Sequence, residues 1–302
     1  MSELRYDGKV AIVTGSGNGL GRSHAMLLAS RGAKVVINDL GGDTFGKDSG
    51  GSMRAADAVV KEIQDAGGEA VANYDSVTDG DKIVQTAMDT WGKIDILINN
   101  AGILRDIAFH NMSDDDWDAI YNVHLKGTFK VTHAAWPHMR NSEYGRIITT
   151  ASSAGIYGNF GQANYSAVKL AVFGFAQTLA QEGAKRNIKV NTIAPFAGSR
   201  MTETILDKEM VEALNPQYVS PLVSYLCHDE CPVSGALFEV GGGWHTRLRW
   251  QRTKGVTLPL RGGISLEQVR DNWEKINDFS EHDFPVDTMG GFAPISENLK
   301  TR

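Results

Sequence analysis

With 302 residues, of which 42% are hydrophobic and 22% charged, the chain has the balance of a globular protein with room for one large α/β domain and an extension. Its net charge of −6 argues against a general nucleic-acid binder, so no nucleic-acid partner is expected. No apolar run approaches the roughly 18 residues of a membrane span, and Met1 to Gly8 holds no apolar signal core, which argues against secretion.

Lys9 to Thr14 is a short apolar run that predicts a buried strand. Gly15-Ser16-Gly17-Asn18-Gly19-Leu20-Gly21 follows at once, and His24 to Ala29 then predicts a helix. Strand, glycine-rich turn and helix are what a dinucleotide phosphate site requires. The glycines admit a pyrophosphate close to the backbone, and the helix N-terminus offers free N–H groups. Ala33 to Asp39 predicts the second strand. An acid at its end, Asp39, can accept hydrogen bonds from the adenosine ribose and repel a 2′-phosphate, which selects NAD over NADP. The other reading of Asp39 is a turn residue before Gly41-Gly42.

Residues 41–52 read as an exposed loop, Met53 to Ala66 as a helix stopped by Gly67-Gly68, and Ala70 to Asp75 as a third strand. Ile83 to Trp91 predicts another helix and Ile94 to Asn99 a fourth strand, after which the small residues Ala101 and Gly102 leave space for a ligand. Ser113, with Asp114 to Asp116 behind it, caps a long helix predicted to reach about Arg140.

Arg146 to Thr150 is β-branched and apolar, like a buried strand, and Ser152 lies just past its C-terminal end, where open α/β sheets bind ligands. Tyr165 and Lys169 are four apart and share one face of a predicted helix that runs to about Lys185. The chemistry open to this trio is proton transfer. A free phenol, with a pKa of about 10, is a poor base near neutrality, and an adjacent cation favours the phenolate. Ser152 would hydrogen-bond a substrate oxygen. Spacing alone leaves open that the three are unrelated polar residues.

Ile188 to Ile193 predicts the next strand, Lys208–Leu214 and Gln217–Cys227 predict helices, and Ala236 to Val240 predicts a last strand before Gly241-Gly242-Gly243. The alternation predicts a single doubly wound parallel α/β sheet over residues 1–243. Cys227 and Cys231 are too few for a disulfide framework, which fits a reducing compartment. Cys227-His228-Asp229-Glu230-Cys231 offers three N/S ligands where structural zinc takes four, so it reads as a helix end and no metal is expected. Residues 244–302 form an extension, with a basic run from His245 to Lys254, one amphipathic helix over Ser265 to Ile276, and a final linker or tail.

Thr14-Gly15-x-x-x-Gly19-x-Gly21, Asp75, Asn99-Asn100-Ala101-Gly102, Ser152, Tyr165-x-x-x-Lys169 and Asn191-x-x-x-Pro195 together resemble the short-chain dehydrogenase/reductase family, over residues 8–243. The resemblance implies a Rossmann-type sheet and NAD as cofactor. It implies Tyr165 as acid/base, Lys169 lowering its pKa and holding the nicotinamide ribose, and Ser152 positioning the substrate oxygen. It places Gly15, Ser16, Asn18, Gly19, Leu20, Gly21 and Asp39 on the cofactor, Asp75 and Ser76 beside the adenine, and Asn99, Ala101 and Gly102 along the cleft. Pro195, Ala197, Gly198, Ser199 and Arg200 fall at the nicotinamide, where Phe196 stands in place of the family's usual glycine. His124 occupies the position of a helix-kink asparagine; it either holds a relay water, as a fourth catalytic residue, or is a core histidine.

Within the family, the segments 38–42, 101–106 and 156–165 resemble members that oxidise (3R)-3-hydroxyacyl-CoA to 3-ketoacyl-CoA in peroxisomal fatty-acid β-oxidation. That likeness implies an acyl-CoA substrate, a homodimer and a place in a longer multifunctional chain. It implies the peroxisome in a eukaryote, although no C-terminal targeting tripeptide ends this sequence, and the cytoplasm otherwise. Gly155, Gly158 and Gly161 leave room for an acyl chain, with Tyr157 and Phe160 adding apolar surface. Arg247, Arg249, Arg252 and Lys254 are candidates for the CoA phosphates, or else form a solvated face or subunit contact. The alternatives are an NADPH-dependent 3-ketoacyl reductase, a hydroxysteroid dehydrogenase, and a silent NAD-binding interaction module.

Overall fold

Apolar, β-branched runs become the strands of one sheet because such side chains pack well on a pleated surface covered on both faces. The structure, a computed structural model, describes residues 3–41, 52–197, 209 and 213–300. Its strands are β1 (Val10–Thr14), β2 (Lys34–Asn38), β3 (Glu69–Asn73), β4 (Ile96–Asn99), β5 (Gly145–Thr150), β6 (Ile188–Pro195), β7 (Leu237–Gly241) and β8 (Trp244–Leu248). They lie in the order β3-β2-β1-β4-β5-β6-β7-β8, and the first seven pair in parallel.

Between these strands run α1 (Gly19–Ser30), α2 (Ser52–Asp65), α3 (Gly80–Trp91), α4 (Asp114–Ile120), α5 (Thr128–Ser142), α6 (Ser153–Tyr157), α7 (Ala163–Gly183) and α8 (Ser220–Cys227). Two apolar cores follow, one on each face. Val13, Val35 and Ile98 pack with Leu28 of α1, Ile63 of α2 and Val223 of α8. Ile12, Val36 and Leu97 pack with Ile83 of α3, Met139 of α5 and Ala176 of α7. Adjacent strand residues thus enter opposite cores, as the two-residue period of a strand requires. Cys227 and Cys231 are free thiols inside the first core.

Several elements depart from the sequence reading. The long helix before Arg140 is broken between α4 and α5 by a π-helical segment, Tyr121–Gly127. Edge strand β8 was not foreseen: Gly242 and Gly243 both have positive φ (53° and 83°), the requirement of a tight two-residue hairpin, and the chain turns back along β7. By its contacts the chain divides into residues 1–247 and 248–302. Of the helix read over Lys208–Leu214, most lies outside the described residues.

In the second unit, the helix read over 265–276 is two, α9 (Leu266–Asp271) and α10 (Trp273–Ile276), meeting at Asn272. The stretch read as a tail contains α11 (Thr288–Leu299) despite Pro294. Proline has no N–H for the carbonyl four residues back, here that of Gly290, and Arg252 donates to this oxygen at 3.2 Å instead. Arg252 also donates to Gly291 O and forms a paired contact with Asp283, where β9 (Arg252–Thr253) meets β10 (His282–Asp283). Arg249 stacks on Phe284 at 3.4 Å and Lys254 lies 3.8 Å from Asp283. Three of the four cations read as CoA-phosphate candidates are therefore engaged within this unit.

Candidate active site

Because the first seven strands are parallel, the segments after β1 to β6 all emerge on one edge of the sheet. The strand order reverses between β1 and β4, the switch point where such sheets bind ligands.

The glycine turn is tightly built. Gly15 has φ 63°, and a Cβ added there would lie 2.8 Å from Ala101 Cα. A Cβ on Gly17 would lie 2.7 Å from Asp39 Oδ2. Asp39 accepts the Gly17 N–H at 2.8 Å on one oxygen and the Gly41 N–H at 3.0 Å on the other. Asn18 makes no side-chain cap to α1, so the amides of Gly19, Leu20 and Gly21 stand at an open helix N-terminus suited to phosphate. The Ser16 hydroxyl turns inward to Val13 O at 2.7 Å, and its N–H donates to Asn38 O at 2.9 Å. Asp75 accepts from Asn73 Nδ2 at 2.7 Å, and Ser76 caps a short 3₁₀ turn through Thr78 N–H.

Across the cleft, Asn99 donates to Thr132 Oγ1 at 3.0 Å, while its Oδ1 is buried without a partner. Asn100, part of the Asn99-to-Gly102 motif but given no role by the sequence, joins the ends of β1 and β4. Its Nδ2 donates to Thr14 O and Gly15 O, and its N–H donates to Thr14 Oγ1. Pro195 ends β6 and Ala197 is buried beyond it. Gly198, Ser199 and Arg200 lie outside the described residues.

Ser152 is the N-cap of α6 and accepts the Ala154 N–H at 3.2 Å. Its hydroxyl lies near enough to the Tyr165 phenol to oppose the rise in that phenol's pKa. Lys169 is buried, donates to Thr150 O at 2.6 Å, and has its Nζ 5.4 Å from the centre of the Tyr165 ring. Gly155 permits this closeness, since a Cβ there would lie 2.8 Å from Leu170 N and 3.0 Å from Lys169 Cβ. The fold thus brings Ser152, Tyr165 and Lys169 together.

His124 sits in the π-helical segment, edge-on to Tyr165 with ring centres 5.2 Å apart. Its Nε2 lies 3.1 Å from Ile103 N and 2.8 Å from Ile103 O. One tautomer accepts from the amide and the other donates to the carbonyl. In either case Nδ1 is buried and unpartnered. Asn164, to which the sequence assigns no role, is fully buried. It donates to Arg105 O and Asp116 O and accepts the Tyr165 N–H at 2.8 Å, which fixes the start of α7 beside the catalytic loop.

Electrostatics correct one expectation. Burial pushes the Tyr165 phenol up to about 12, with the nearby Ser152 hydroxyl opposing it. Burial also draws Lys169 down to about 7 and holds His124 well below its ordinary value, hence neutral, with nearby Lys169 adding to the effect. Desolvation thus outweighs any lowering of the phenol by Lys169. A base whose pKa is raised gains its active form as pH increases. Alcohol oxidation is therefore expected to climb steadily between about pH 6 and about pH 9. A pH–rate profile of kcat/KM that is flat or falls over that range would contradict a phenol base.

The residues fit a nicotinamide dinucleotide: a glycine turn with no room for a Cβ at Gly15, Gly17 or Gly21, an acid at the second strand's end, and buried unpartnered atoms on Asn99 and His124. A model of the short chain dehydrogenase family matches residues 9–212. The chain belongs to the short-chain dehydrogenase family. Members of this oxidoreductase family bind a nicotinamide cofactor on a Rossmann-type fold.

This short-chain dehydrogenase is 59% identical over 298 residues to peroxisomal multifunctional enzyme type 2 of Mus musculus, covering 97% of this chain and 40% of the relative. It superposes on full-length peroxisomal multifunctional enzyme type 2 of Drosophila melanogaster with a TM-score of 0.84 and 43% identity, over 99% of this chain and 50% of that one. The chain therefore spans only part of these relatives. A 7α-hydroxysteroid dehydrogenase complexed with NADH and 7-oxo glycochenodeoxycholic acid matches at a TM-score of 0.71 and 30% identity, over 80% of this chain and 98% of that one. No helix among the described residues is long and apolar enough to cross a membrane.

Proposed function

We propose that this short-chain dehydrogenase oxidises (3R)-3-hydroxyacyl-CoA to 3-ketoacyl-CoA with NAD, as one part of a longer multifunctional chain in fatty-acid β-oxidation. The observation that carries the reaction type is the gathering of Ser152, Tyr165 and buried Lys169, the last 5.4 Å from the Tyr165 ring centre, at the edge that holds the glycine turn. The substrate and a peroxisomal location rest on the likeness to the mouse relative along nearly the whole chain. The NAD preference rests on the carboxylate of Asp39 at the end of β2, supported by the NADH-bound neighbour.

A bound oxidised nicotinamide supplies the hydride acceptor. Ser152 donates to the C3 oxygen and orients it toward Tyr165. Tyr165 would take the hydroxyl proton as the C3 hydrogen leaves as hydride, so the alcohol loses one hydride and one proton, two electrons and two protons in all, and becomes a ketone. Lys169, fixed by Thr150 O, is placed to hold the nicotinamide ribose and to favour the phenolate. His124, neutral and with Nδ1 unpartnered, is positioned to hold a water that passes the proton outward.

Turnover of both C3 epimers of one hydroxyacyl-CoA and of a hydroxysteroid, each with NAD and with NADP, tests the reading. The (3R) thioester with NAD is expected to give the highest kcat/KM. Preference for (3S), a steroid outrunning every acyl-CoA, or NADP favoured over NAD would overturn it. No turnover of any of them would favour the interaction-module alternative.

A homodimer is part of the same proposal. Val172 and Phe173 of α7 pack inside their own chain. Leu170 remains 40% exposed, and Phe175 meets Phe129, itself 44% exposed, with ring centres 6.4 Å apart. These side chains of α5 and α7 form the face assigned to a second copy. Light scattering at micromolar concentration is expected to give twice the chain mass, and a monomer would refute it.

A further inference from the structure

Helix α6 has five residues, Ser153–Tyr157, far short of the roughly 12–15 at which an isolated helix becomes even marginally stable. Its ends and one face must therefore be held from outside. At the N-terminus, the Ser152 side chain caps it. On one face, Gly155 rests against Lys169 and Leu170 of α7. At the C-terminus, Tyr157 is 66% exposed, yet its hydroxyl donates at 2.9 Å to Oε2 of Glu239, which is 4% exposed.

Glu239 is unusual for its place. It lies in β7, between Phe238 and Val240, where its neighbours enter the apolar core. A carboxylate buried there is costly unless hydrogen-bonded, and a charge-assisted hydrogen bond to it is roughly twice as strong as a neutral one. The register pairs Glu239 with Ala194 of β6, so Tyr157 reaches past the end of β6 to anchor on the strand beyond it. The two residues are 82 positions apart, and no local feature of α6 requires their contact.

We propose that Tyr157 and Glu239 form a latch that positions Ser152 by fixing the far end of the short helix it caps. The inference rests on the dehydrogenase reading of Ser152. Tyr157 is a positioning residue: it acts through Ser152 and takes no part in proton transfer. With the latch open, α6 frays from its C-terminus and the Ser152 hydroxyl loses its fixed distance to Tyr165.

Tyr157→Phe removes one hydroxyl from an exposed ring and leaves the core intact. It is expected to lower kcat for (3R)-3-hydroxyacyl-CoA oxidation about tenfold with NAD affinity unchanged, and to lower Tm, since the buried Glu239 carboxylate loses its hydrogen-bond donor. Glu239→Leu should reproduce that loss of rate. Glu239→Gln keeps an acceptor and should retain at least about half of the wild-type rate. The decisive comparison is in a Ser152→Ala background, where Tyr157→Phe should have no further effect, because residues acting as one unit are not additive. A loss that multiplies with Ser152→Ala, or a Tyr157→Phe variant at wild-type rate, would overturn the latch.

Amide hydrogen exchange gives a second readout that needs no substrate. The N–H groups of Ile156 and Gly158, bonded to Ser152 O and Ala154 O, should exchange about tenfold faster in Tyr157→Phe, and unchanged exchange would equally overturn the latch. Wild-type turnover of the thioester tests the substrate reading separately. If it is absent, that reading fails, and exchange still decides the latch.

Discussion

Replacing Tyr165 by Phe is expected to lower alcohol oxidation about 10²- to 10⁴-fold, the usual contribution of a positioned acid/base, while NAD binds as before. The substitution is clean because the ring keeps its neighbours. The edge contact with His124 and the place of α7 depend on the ring and on Asn164, not on the hydroxyl. What disappears is the phenol oxygen that Ser152 bears on. Single-turnover kinetics should show the loss in the chemical step, and calorimetry should show an unaltered NAD dissociation constant. If Tyr165→Phe keeps more than a few per cent of the wild-type rate, the proton goes elsewhere and His124 becomes the next group to test.

Asp39→Ser is expected to raise the ratio of NADP to NAD efficiency by about two orders of magnitude. A carboxylate facing a 2′-phosphate is a like-charge contact worth several kcal/mol, and each 1.4 kcal/mol is tenfold. The structure adds a second effect. The same carboxylate holds the Gly17 and Gly41 amides, so NAD efficiency should also fall as the glycine turn loosens. Asp39→Asn separates the two, since it removes the charge and keeps an acceptor for one amide. Steady-state kinetics with both cofactors should rank the variants Ser, Asn, wild type in NADP preference. An unchanged ratio in both variants would reduce Asp39 to a turn residue.

The parts of the site legible in the sequence are those whose geometry is local. Gly15 to Gly21 after an apolar strand, Asp39 at the next strand's end, and Tyr165 one turn before Lys169 all carry their spacing within a few residues or one βαβ unit. What stayed hidden depends on partners far along the chain. Asn164 lies beside Tyr165, but its reach to Arg105 and Asp116 is a tertiary fact. The π-helical turn at His124 leaves the helical pattern of residue types intact and so gives no signal. Helix α11 reads as a tail because glycine and proline disfavour helices, and its supports, Arg252 at the Gly290 carbonyl and Asn298 at Leu258 O, lie far along the chain. The hairpin of β8 was visible as Gly242-Gly243 but was taken for an ending, where two left-handed glycines make a reversal.

The pairing of β1 with β4 has a consequence for how the protein forms. Ile12 pairs with Leu97, and the Thr14 hydroxyl receives the amides of Asn100 and Ala101. The floor of the cofactor cleft is thus sewn from segments separated by most of a hundred residues of intervening chain. During synthesis β1 emerges first and has only β2 and β3 beside it until β4 follows. Loops of that length close slowly, and parallel pairing brings its reward late. The cleft is accordingly among the last features to assemble, and a nascent chain ending before Asn100 holds a glycine turn with nothing opposite it.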